Sequence, residues 1–174
     1  MKHAILATMF LLTSALVFSA EKPPKAARAE LKDAQGKSVG TVHLKQLKHT
    51  VQVSLAVNGL PAGVHAFHIH TVGKCDAPDF KSAGGHFNPG KTQHGLKNPA
   101  GPHAGDMPNI TVNAKGKGKA TVVNTWVTLG AGDNSLFHEG GTAIVIHEKA
   151  DDEMTDPAGN AGSRIACGVV EKSH

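Results

Sequence analysis

The chain has 174 residues and a formal net charge of +4, and only 4% of its residues are aromatic. This length suits one domain with its own core, and 20 glycines with 9 prolines favour many turns over long helices. Basic residues are scattered, apart from Lys115, Lys117 and Lys119, which alternate with glycine as in a solvated hairpin turn. We therefore predict no nucleic-acid partner.

The first twenty residues are predicted to be a secretory signal peptide, residues 1–20. An apolar run over residues 4–18 follows a short polar start and ends at the small residues Ser19 and Ala20. A membrane anchor is the alternative, but it needs about 20 apolar residues, and this run is shorter and contains hydroxyl side chains. We expect an exported chain with no membrane attachment after cleavage, and a flexible tail over residues 21–27.

Short runs of alternating apolar and polar residues predict β-strands along most of the remaining chain. In the run over residues 50–57, for example, Val51, Val53, Leu55 and Val57 share one face. The strand candidates are residues 29–32, 38–44, 50–57, 64–70, 109–113, 119–123, 142–148 and 164–170. This period at short spacing predicts an antiparallel sandwich or barrel.

Two stretches interrupt the strand pattern. Residues 71–108 are rich in Gly, Pro, Asn and His and are far longer than a usual connection, so we expect them to be functional or ordered by ligands. Residues 124–141 carry no clear period, and Trp126 packs either inside or at a subunit contact. No segment has the length and period of an amphipathic helix.

The two cysteines, Cys75 and Cys167, favour a disulfide, because an exported protein with an even number of cysteines usually pairs them. A bridge would close a loop of about 90 residues and stabilise the fold by roughly 4–5 kcal/mol in the chain-entropy model. Metal ligation is the alternative, but neither cysteine has a second one two to four residues away.

The histidines cluster, and those near residues 65–70 lie on a predicted strand. Residues i and i+2 of a strand point to the same face, so His68 and His70 project together. Two imidazoles on one sheet face make a rigid half-site for copper or zinc, and His147, on another strand, could complete it by folding. His65 has the opposite parity, which predicts a structural hydrogen bond for its ring.

The long loop supplies a second candidate set of ligands. It offers three nitrogens and one oxygen, a mixture that fits tetrahedral Zn²⁺, from His86, His94, His103 and Asp106. Metal binding there would offset the entropy of ordering the loop. The alternative is a flexible His-rich loop that binds metal weakly, but the spacing favours two sites over none.

Six segments, in order along the chain, resemble motifs of the Cu,Zn superoxide dismutase family, bacterial periplasmic type. They are residues 63–70, 83–89, 93–95, 101–106, 146–152 and 159–168. The resemblance spans residues 28–170 and implies an all-β, eight-stranded antiparallel Greek-key β-barrel or sandwich with long metal-binding loops. The predicted domain is residues 28–174, and the implied location is the periplasm.

The same resemblance implies one copper and one zinc per subunit and dismutation of superoxide to dioxygen and hydrogen peroxide. Copper would be held by His68, His70, His86 and His147. Zinc would be held by His86, His94, His103 and Asp106. Asp151 is implied to link His70 to His94, Arg164 to guide superoxide, and the shared His86 to carry a proton during catalysis. The Cys75–Cys167 bridge would tie the long loop to the last strand.

The sequence departs from the family pattern at Ala66, Thr71 and Ala158, and residues 151–159 form a shorter stretch than the charged guiding loop of animal and plant forms. Ala66 adds only a methyl group, which a small packing adjustment accommodates, whereas Ala158 and the short stretch bear on substrate steering and not on metal chemistry. The alternative function is a non-catalytic periplasmic copper- or zinc-binding or copper-delivery protein, but all expected ligands and Arg164 are present. Family members occur as monomers and dimers, so a homodimer stays open.

Overall fold

The structure, a computed structural model, describes residues 23–173. They form ten β-strands and one 3₁₀ helix, Lys81–Ala83. The strands are β1 Ala26–Lys32, β2 Ser38–Gln46, β3 Val51–Asn58, β4 Gly63–His65, β5 Phe67–His70, β6 Ile110–Val112, β7 Lys117–Asn124, β8 Ala143–His147, β9 Arg164–Val169 and β10 Glu171–Lys172. Among these residues no helix has the length and apolar character needed to span a membrane.

One nearly continuous strand closes the sheet into a barrel. The strand order is β4-β6-β7-β3-β2-β1-β9-β8-β5, and every ladder is antiparallel. The two ends of this order, β4 and β5, are separated in the chain by Ala66 alone. Because β4 pairs with β6 and β5 pairs with β8, residues 63–70 join both edges.

The prediction of an all-β, eight-stranded antiparallel barrel is confirmed. The ten strands reduce to eight when the short continuations β4–β5 and β9–β10 are each taken as one strand. Counted in these eight strands, three neighbour pairs are not consecutive along the chain: β3 with β7, β1 with β9, and β5 with β8. Long connections that bring a later strand beside an earlier one are the mark of Greek-key topology.

Strand alternation places a large apolar core inside the barrel. Val51, Val53 and Leu55 of β3 are buried in it, together with Phe67 and Ile69 of β5. All residues of β5 and β8 are buried, so their outer faces must also be covered. The long loop (residues 71–108) and the short loop (residues 151–159) provide that cover: Phe80 and Ala83 pack with Val145 of β8, and Asp151 contacts His68 of β5.

The predicted disulfide is confirmed. Cys75 and Cys167 are bonded, with their Cα atoms 5.6 Å apart and a sequence separation of 92. Cys167 belongs to a second, smaller buried cluster with Phe80, Ala83 and Val145, on the outer side of β8. The bridge therefore holds the start of the long loop against β9.

One expectation needs correction, one of two alternatives for Trp126 is removed, and one prediction falls on residues that the structure does not describe. Residues 26–27, predicted as tail, belong to β1, where Ala27 pairs with Leu44 and Lys172 and is 1% exposed. Alanine is a weak apolar signal, so the period of this strand is hard to see in the sequence. Trp126 is 44% exposed and so does not pack inside. The predicted signal peptide, residues 1–20, lies outside the described residues.

Candidate metal sites

Three histidines converge because two neighbouring strands carry them. His68 and His70 lie on β5, which pairs with β8 so that His70 is opposite Ala143. His147 ends β8, and its N–H donates to the carbonyl of Ala66 (2.9 Å). The Nε2 atoms of His70 and His147 are 3.4 Å apart. Strand parity puts His68 and His70 on one face of β5, and the pairing of β5 with β8 brings His147 to the same place.

His86 reaches the same place because its stretch of the long loop runs beside β5. It forms an isolated antiparallel bridge with His70, and the N–H of Phe87 donates to the carbonyl of Ile69 (2.8 Å). The His86 ring centroid is 4.0 Å from that of His68 and 5.0 Å from that of His70. One ring nitrogen from each of four histidines lies within 4.8 Å of the others, and we call His68, His70, His86 and His147 the four-histidine set.

The outer nitrogens of this set have acceptors, and the inner nitrogens are left without protons. His68 Nε2 donates to a carboxylate oxygen of Asp151 (2.7 Å), and His70 Nδ1 donates to the carbonyl of Gly84 (2.9 Å). A neutral imidazole has one N–H, so the other nitrogen of each ring presents a lone pair. Hydrogen bonds of this kind fix the tautomer of metal-binding histidines.

Two buried ring nitrogens are placed where they could bind a cation. Within residues 23–173, His68 Nδ1 and His86 Nε2 are buried and have no hydrogen-bond partner. Buried polar atoms in proteins almost always have partners, so these two point to a group that the protein atoms alone do not include. A soft or borderline metal ion that prefers imidazole is what this donor set fits.

Three members of the four-histidine set, His70, His86 and His147, have lowered pKa values. Burial and, after it, the nearby His86 lower the pKa of His70 to about 2. Burial likewise lowers the pKa of His147 to about 3. The pKa of His86 falls to about 4 through burial, although its hydrogen bond to Asp106 opposes the fall. Neutral imidazole is the form that binds metal, so these three rings need to release few protons at pH 7.

The long loop gathers the second set around one carboxylate oxygen. Asp106 Oδ1 lies 2.9 Å from His86 Nδ1, 3.0 Å from His94 Nδ1 and 3.5 Å from His103 Nδ1. His86 Nδ1 and His103 Nδ1 are 3.4 Å apart. Ligand atoms about 2.0 Å from a tetrahedral Zn²⁺ are about 3.3 Å from one another. This group, which we call the aspartate set, therefore has the spacing of a closed zinc site.

Backbone N–H groups aim the Asp106 carboxylate. Gly95 N and His103 N both donate to its Oδ2 (2.9 Å each), which leaves Oδ1 facing the three histidines. Burial would raise the pKa of Asp106, but its hydrogen bonds with the histidines and Gly95 lower it well below its usual range. Burial would lower the pKa of His94, but Asp106 and Asp151 together raise it to about 9.

Asp151 connects the two sets through a different histidine from the one expected. Its Oδ1 accepts from His94 Nε2 (2.9 Å) and its Oδ2 accepts from His68 Nε2 (2.7 Å), so the predicted link to His70 is wrong. The reason is ring orientation: His68 turns Nδ1 inward and Nε2 outward, whereas His70 does the reverse. Sequence spacing does not encode which ring nitrogen faces a site.

Gly159 leaves room for the Asp151 carboxylate. A Cβ atom built on Gly159 would overlap Asp151 Oδ1 and lie 2.8 Å from His94 Nε2. The residue also has a φ of +60°, which side chains rarely adopt. Asn109 fixes the other side of Asp151, because its amide donates to the Asp151 carbonyl and its Oδ1 accepts from the Asp151 N–H. Sequence reasoning missed both contacts.

Arg164 lies next to the four-histidine set, opposite His147 in the β8–β9 ladder. Its Nη1 donates to the carbonyl of Phe80 and its Nη2 to the carbonyl of Gly84, both at 2.7 Å. Gly84 O therefore receives donors from both Arg164 and His70. The side chain is half-buried, and its positive charge contributes to the lowered pKa values of His70 and His147.

His65 joins neither set. Its Nδ1 lies 2.9 Å from the carbonyl oxygen of His147 and its Nε2 lies 2.9 Å from that of Pro61. The ring is 3% exposed and braces the end of β8 against the turn before β4. This is the structural hydrogen bonding expected from its parity.

The sequence of this chain matches one family of known proteins. Residues 38–170 match the family model "Copper/zinc superoxide dismutase (SODC)". The chain is 56% identical over 145 residues to Superoxide dismutase [Cu-Zn] 1 of Aquifex aeolicus, covering 82% of this chain and 86% of that protein. It is 43% identical over 148 residues to Superoxide dismutase [Cu-Zn] of Caulobacter vibrioides, covering 83% and 85%. The crystal structure of a SOD-like protein from Bacillus subtilis has a TM-score of 0.78 and 40% identity, covering 82% of this chain and 96% of that one.

Proposed function

The chain belongs to the copper/zinc superoxide dismutase family, and from that premise we propose which of its residues hold the metals and handle the substrate. It is a superoxide dismutase with copper and zinc as cofactors, and superoxide is its substrate. The observation that carries the residue assignment is the pair of unpartnered buried nitrogens, His68 Nδ1 and His86 Nε2, that face the four-histidine set.

We assign copper to the four-histidine set and zinc to the aspartate set. An all-imidazole donor set suits copper, whereas three nitrogens and one carboxylate oxygen at tetrahedral spacing suit zinc. His86 belongs to both sets, with Nδ1 toward Asp106 and Nε2 toward the other three histidines. When bound, copper supplies one-electron redox chemistry, and zinc supplies positive charge and a fixed template.

Arg164 is assigned to docking the superoxide anion. A guanidinium stays charged at every physiological pH, and the two carbonyls of Phe80 and Gly84 hold this one beside the four-histidine set. Arginine has five N–H donors, so two hydrogen bonds leave others for an anion. Residues 151–159 contain four acidic side chains and no basic one, so Arg164 carries much of the attraction itself.

His86 is assigned a proton-carrying role at Nε2. Formation of hydrogen peroxide from superoxide consumes protons, and a group at the site must hand them over. His86 Nδ1 is engaged with Asp106, which leaves Nε2 as the nitrogen of this ring that can hold a proton near the substrate.

We further propose that the chain is exported and acts in the periplasm, with residues 1–20 as its signal peptide. The Cys75–Cys167 disulfide supports this location, because structural disulfides form and persist outside the reducing cytosol. Mass spectrometry of the protein from periplasmic and cytosolic fractions tests it. A full-length cytosolic protein with reduced cysteines would contradict the proposal.

The central test is metal content measured alongside turnover. We expect one copper and one zinc per chain in the purified mature protein and a dismutase rate that scales with copper loading. His147→Ala should lose copper and activity while it keeps zinc, and His103→Ala should lose zinc first. Full copper occupancy without turnover would instead support a copper carrier on the same fold.

A further inference from the structure

The short loop makes a dense set of contacts with the part of the long loop that carries His94. Lys97 N donates to the carbonyl of Glu153 (3.0 Å), and the Lys97 ammonium pairs with the Glu153 carboxylate (2.7 Å). The backbone of Gly95 packs so closely on Glu153 that no side chain would fit there. The contacts fix one loop against the other along several residues.

Within these contacts, one carboxylate has no role in the assignment above. Asp156 Oδ1 accepts a hydrogen bond from the backbone N–H of His94 (2.6 Å). The same oxygen lies 3.7 Å from His103 Nε2, which is longer than a hydrogen bond, and the Asp156 side chain is half exposed. Asp156 therefore touches two of the four residues in the aspartate set, from the side away from the proposed zinc.

Two of the three aspartates of the short loop, Asp151 and Asp156, lie behind histidines of the aspartate set, although Asp156 is farther from its histidine and half exposed. His94 turns Nδ1 toward Asp106 and has the Asp151 carboxylate behind its Nε2 (2.9 Å). His103 also turns Nδ1 toward Asp106 and has the Asp156 carboxylate behind its Nε2. A carboxylate behind a metal-binding histidine fixes its tautomer and makes it a better donor, and loss of such a group typically weakens metal binding 10–100-fold.

We propose that Asp156 is a positioning residue for the zinc site. It holds the His94 backbone through a direct hydrogen bond and orients His103 through its charge. The short loop thereby fixes His94 and His103, the two histidines of the aspartate set that do not belong to the four-histidine set. The proposal rests on the zinc assignment made under the proposed function. It gives residues 151–159 a task in retaining zinc, in a loop whose charges are wrong for attracting an anion.

The test measures zinc release from the metal-loaded enzyme into excess chelator for a graded series of variants. Asp156→Ala removes both the hydrogen-bond acceptor and the charge. Asp156→Asn keeps an oxygen that can accept from His94 N but carries no charge toward His103. Glu153→Gln is the matched control, because it removes a carboxylate of the same loop that pairs with surface Lys97 and touches no proposed ligand.

We expect zinc release about 10–100-fold faster in Asp156→Ala, an intermediate rate in Asp156→Asn, and a rate within about twofold of wild type in Glu153→Gln. With Co²⁺ as a coloured substitute for zinc, Asp156→Ala should shift the visible absorption bands, while Glu153→Gln should keep them. A purely structural weakening of the loop would speed release in both variants without shifting the bands.

Three results would overturn the inference: wild-type release from Asp156→Ala, wild-type release from Asp156→Asn, or equal acceleration by Glu153→Gln. Circular dichroism of each variant, with its disulfide intact, shows whether the barrel has folded. His103→Ala separates this inference from the assignment on which it rests. If His103→Ala retains zinc as well as wild type, the ligand set itself is wrong, whatever Asp156 does.

Discussion

The two candidate sites differ in what holds their ligands. In the four-histidine set, His68, His70 and His147 belong to strands β5 and β8, whose backbones are fixed by ladder hydrogen bonds and by the core beneath. In the aspartate set, all members come from the long loop, where side-chain and turn contacts replace the ladder. His86 is the one residue that belongs to both.

The same fold therefore positions the ligands of its two sites in different ways. Strand ligands are placed by folding of the barrel itself, so their geometry needs no metal. Loop ligands are placed by polar contacts with Asp106, Asp151 and Asp156. Each of these contacts contributes less stability than a strand ladder, and the contacts depend on one another. We therefore expect the copper site to be the more preorganised of the two, and zinc to contribute more to local order.

The largest effect should come from His86→Ala, which removes the residue common to both sets. Each set then loses a ligand, so both metals should bind more weakly and the dismutase rate should fall by more than about 100-fold, beyond the loss typical of a residue behind a ligand. Metal analysis and a superoxide assay on the same sample measure both. A variant that lost only one metal would show that the sites do not share this ring.

Gly159→Ala should come next, because it drives a methyl group into the Asp151 carboxylate. We expect zinc affinity to fall about 10–100-fold, with a smaller loss for copper, since Asp151 also holds His68. Gly36→Ala is the control: its φ of +79° is equally unfavourable for alanine, but nothing lies within 4 Å of the added atom. Both variants should lose about 1–2 kcal/mol of stability, and only the first should lose metal.

Zinc removal should separate the two regions directly. Hydrogen exchange of the copper-loaded enzyme, with and without zinc, should show at least about tenfold faster exchange for amides in residues 93–106. Amides of the β2–β3 ladder should keep their protection, because the barrel core does not depend on the loop. Equal loosening of both regions would mean that the aspartate set supports the whole barrel.

The smallest effect should come from Arg164→Ala, which leaves both ligand sets intact. We expect the dismutase rate at low ionic strength to fall about tenfold and its dependence on salt to flatten, since steering of an anion is a screened, long-range attraction. Arg164→Lys should recover part of the rate. Unchanged turnover together with an unchanged salt slope would remove Arg164 from substrate docking.

The sequence predicted the strand regions well because a buried sheet face imposes a strict two-residue period. Val51, Val53 and Leu55 are buried as that period requires, and His68 and His70 share a face for the same reason. Strand reasoning offered His147 as a further ligand, and the family resemblance supplied what no local pattern contains, namely that His86 joins both sets. The disulfide followed from the count of cysteines and the inferred export.

Ring orientation and contacts between loops escaped sequence reasoning. Which nitrogen of His68 or His70 points inward depends on acceptors contributed from distant positions, Asp151 and Gly84. The role of Asp156 depends on how the short loop lies on the long one, and no period marks that docking. Trp126 was ambiguous because a large apolar side chain favours burial in general, yet 44% of it is exposed here.

The carbonyl oxygen of Gly84 serves both the four-histidine set and Arg164, and it belongs to the backbone. It accepts from the His70 ring and from the Arg164 guanidinium, so it orients a proposed copper ligand and the proposed anion-docking group at once. Alanine substitution does not remove such an atom, because every amino acid carries the same backbone carbonyl. Semisynthesis that replaces the amide between residues 84 and 85 with an ester would weaken this acceptor and reveal how far ligand geometry and substrate attraction are adjusted together.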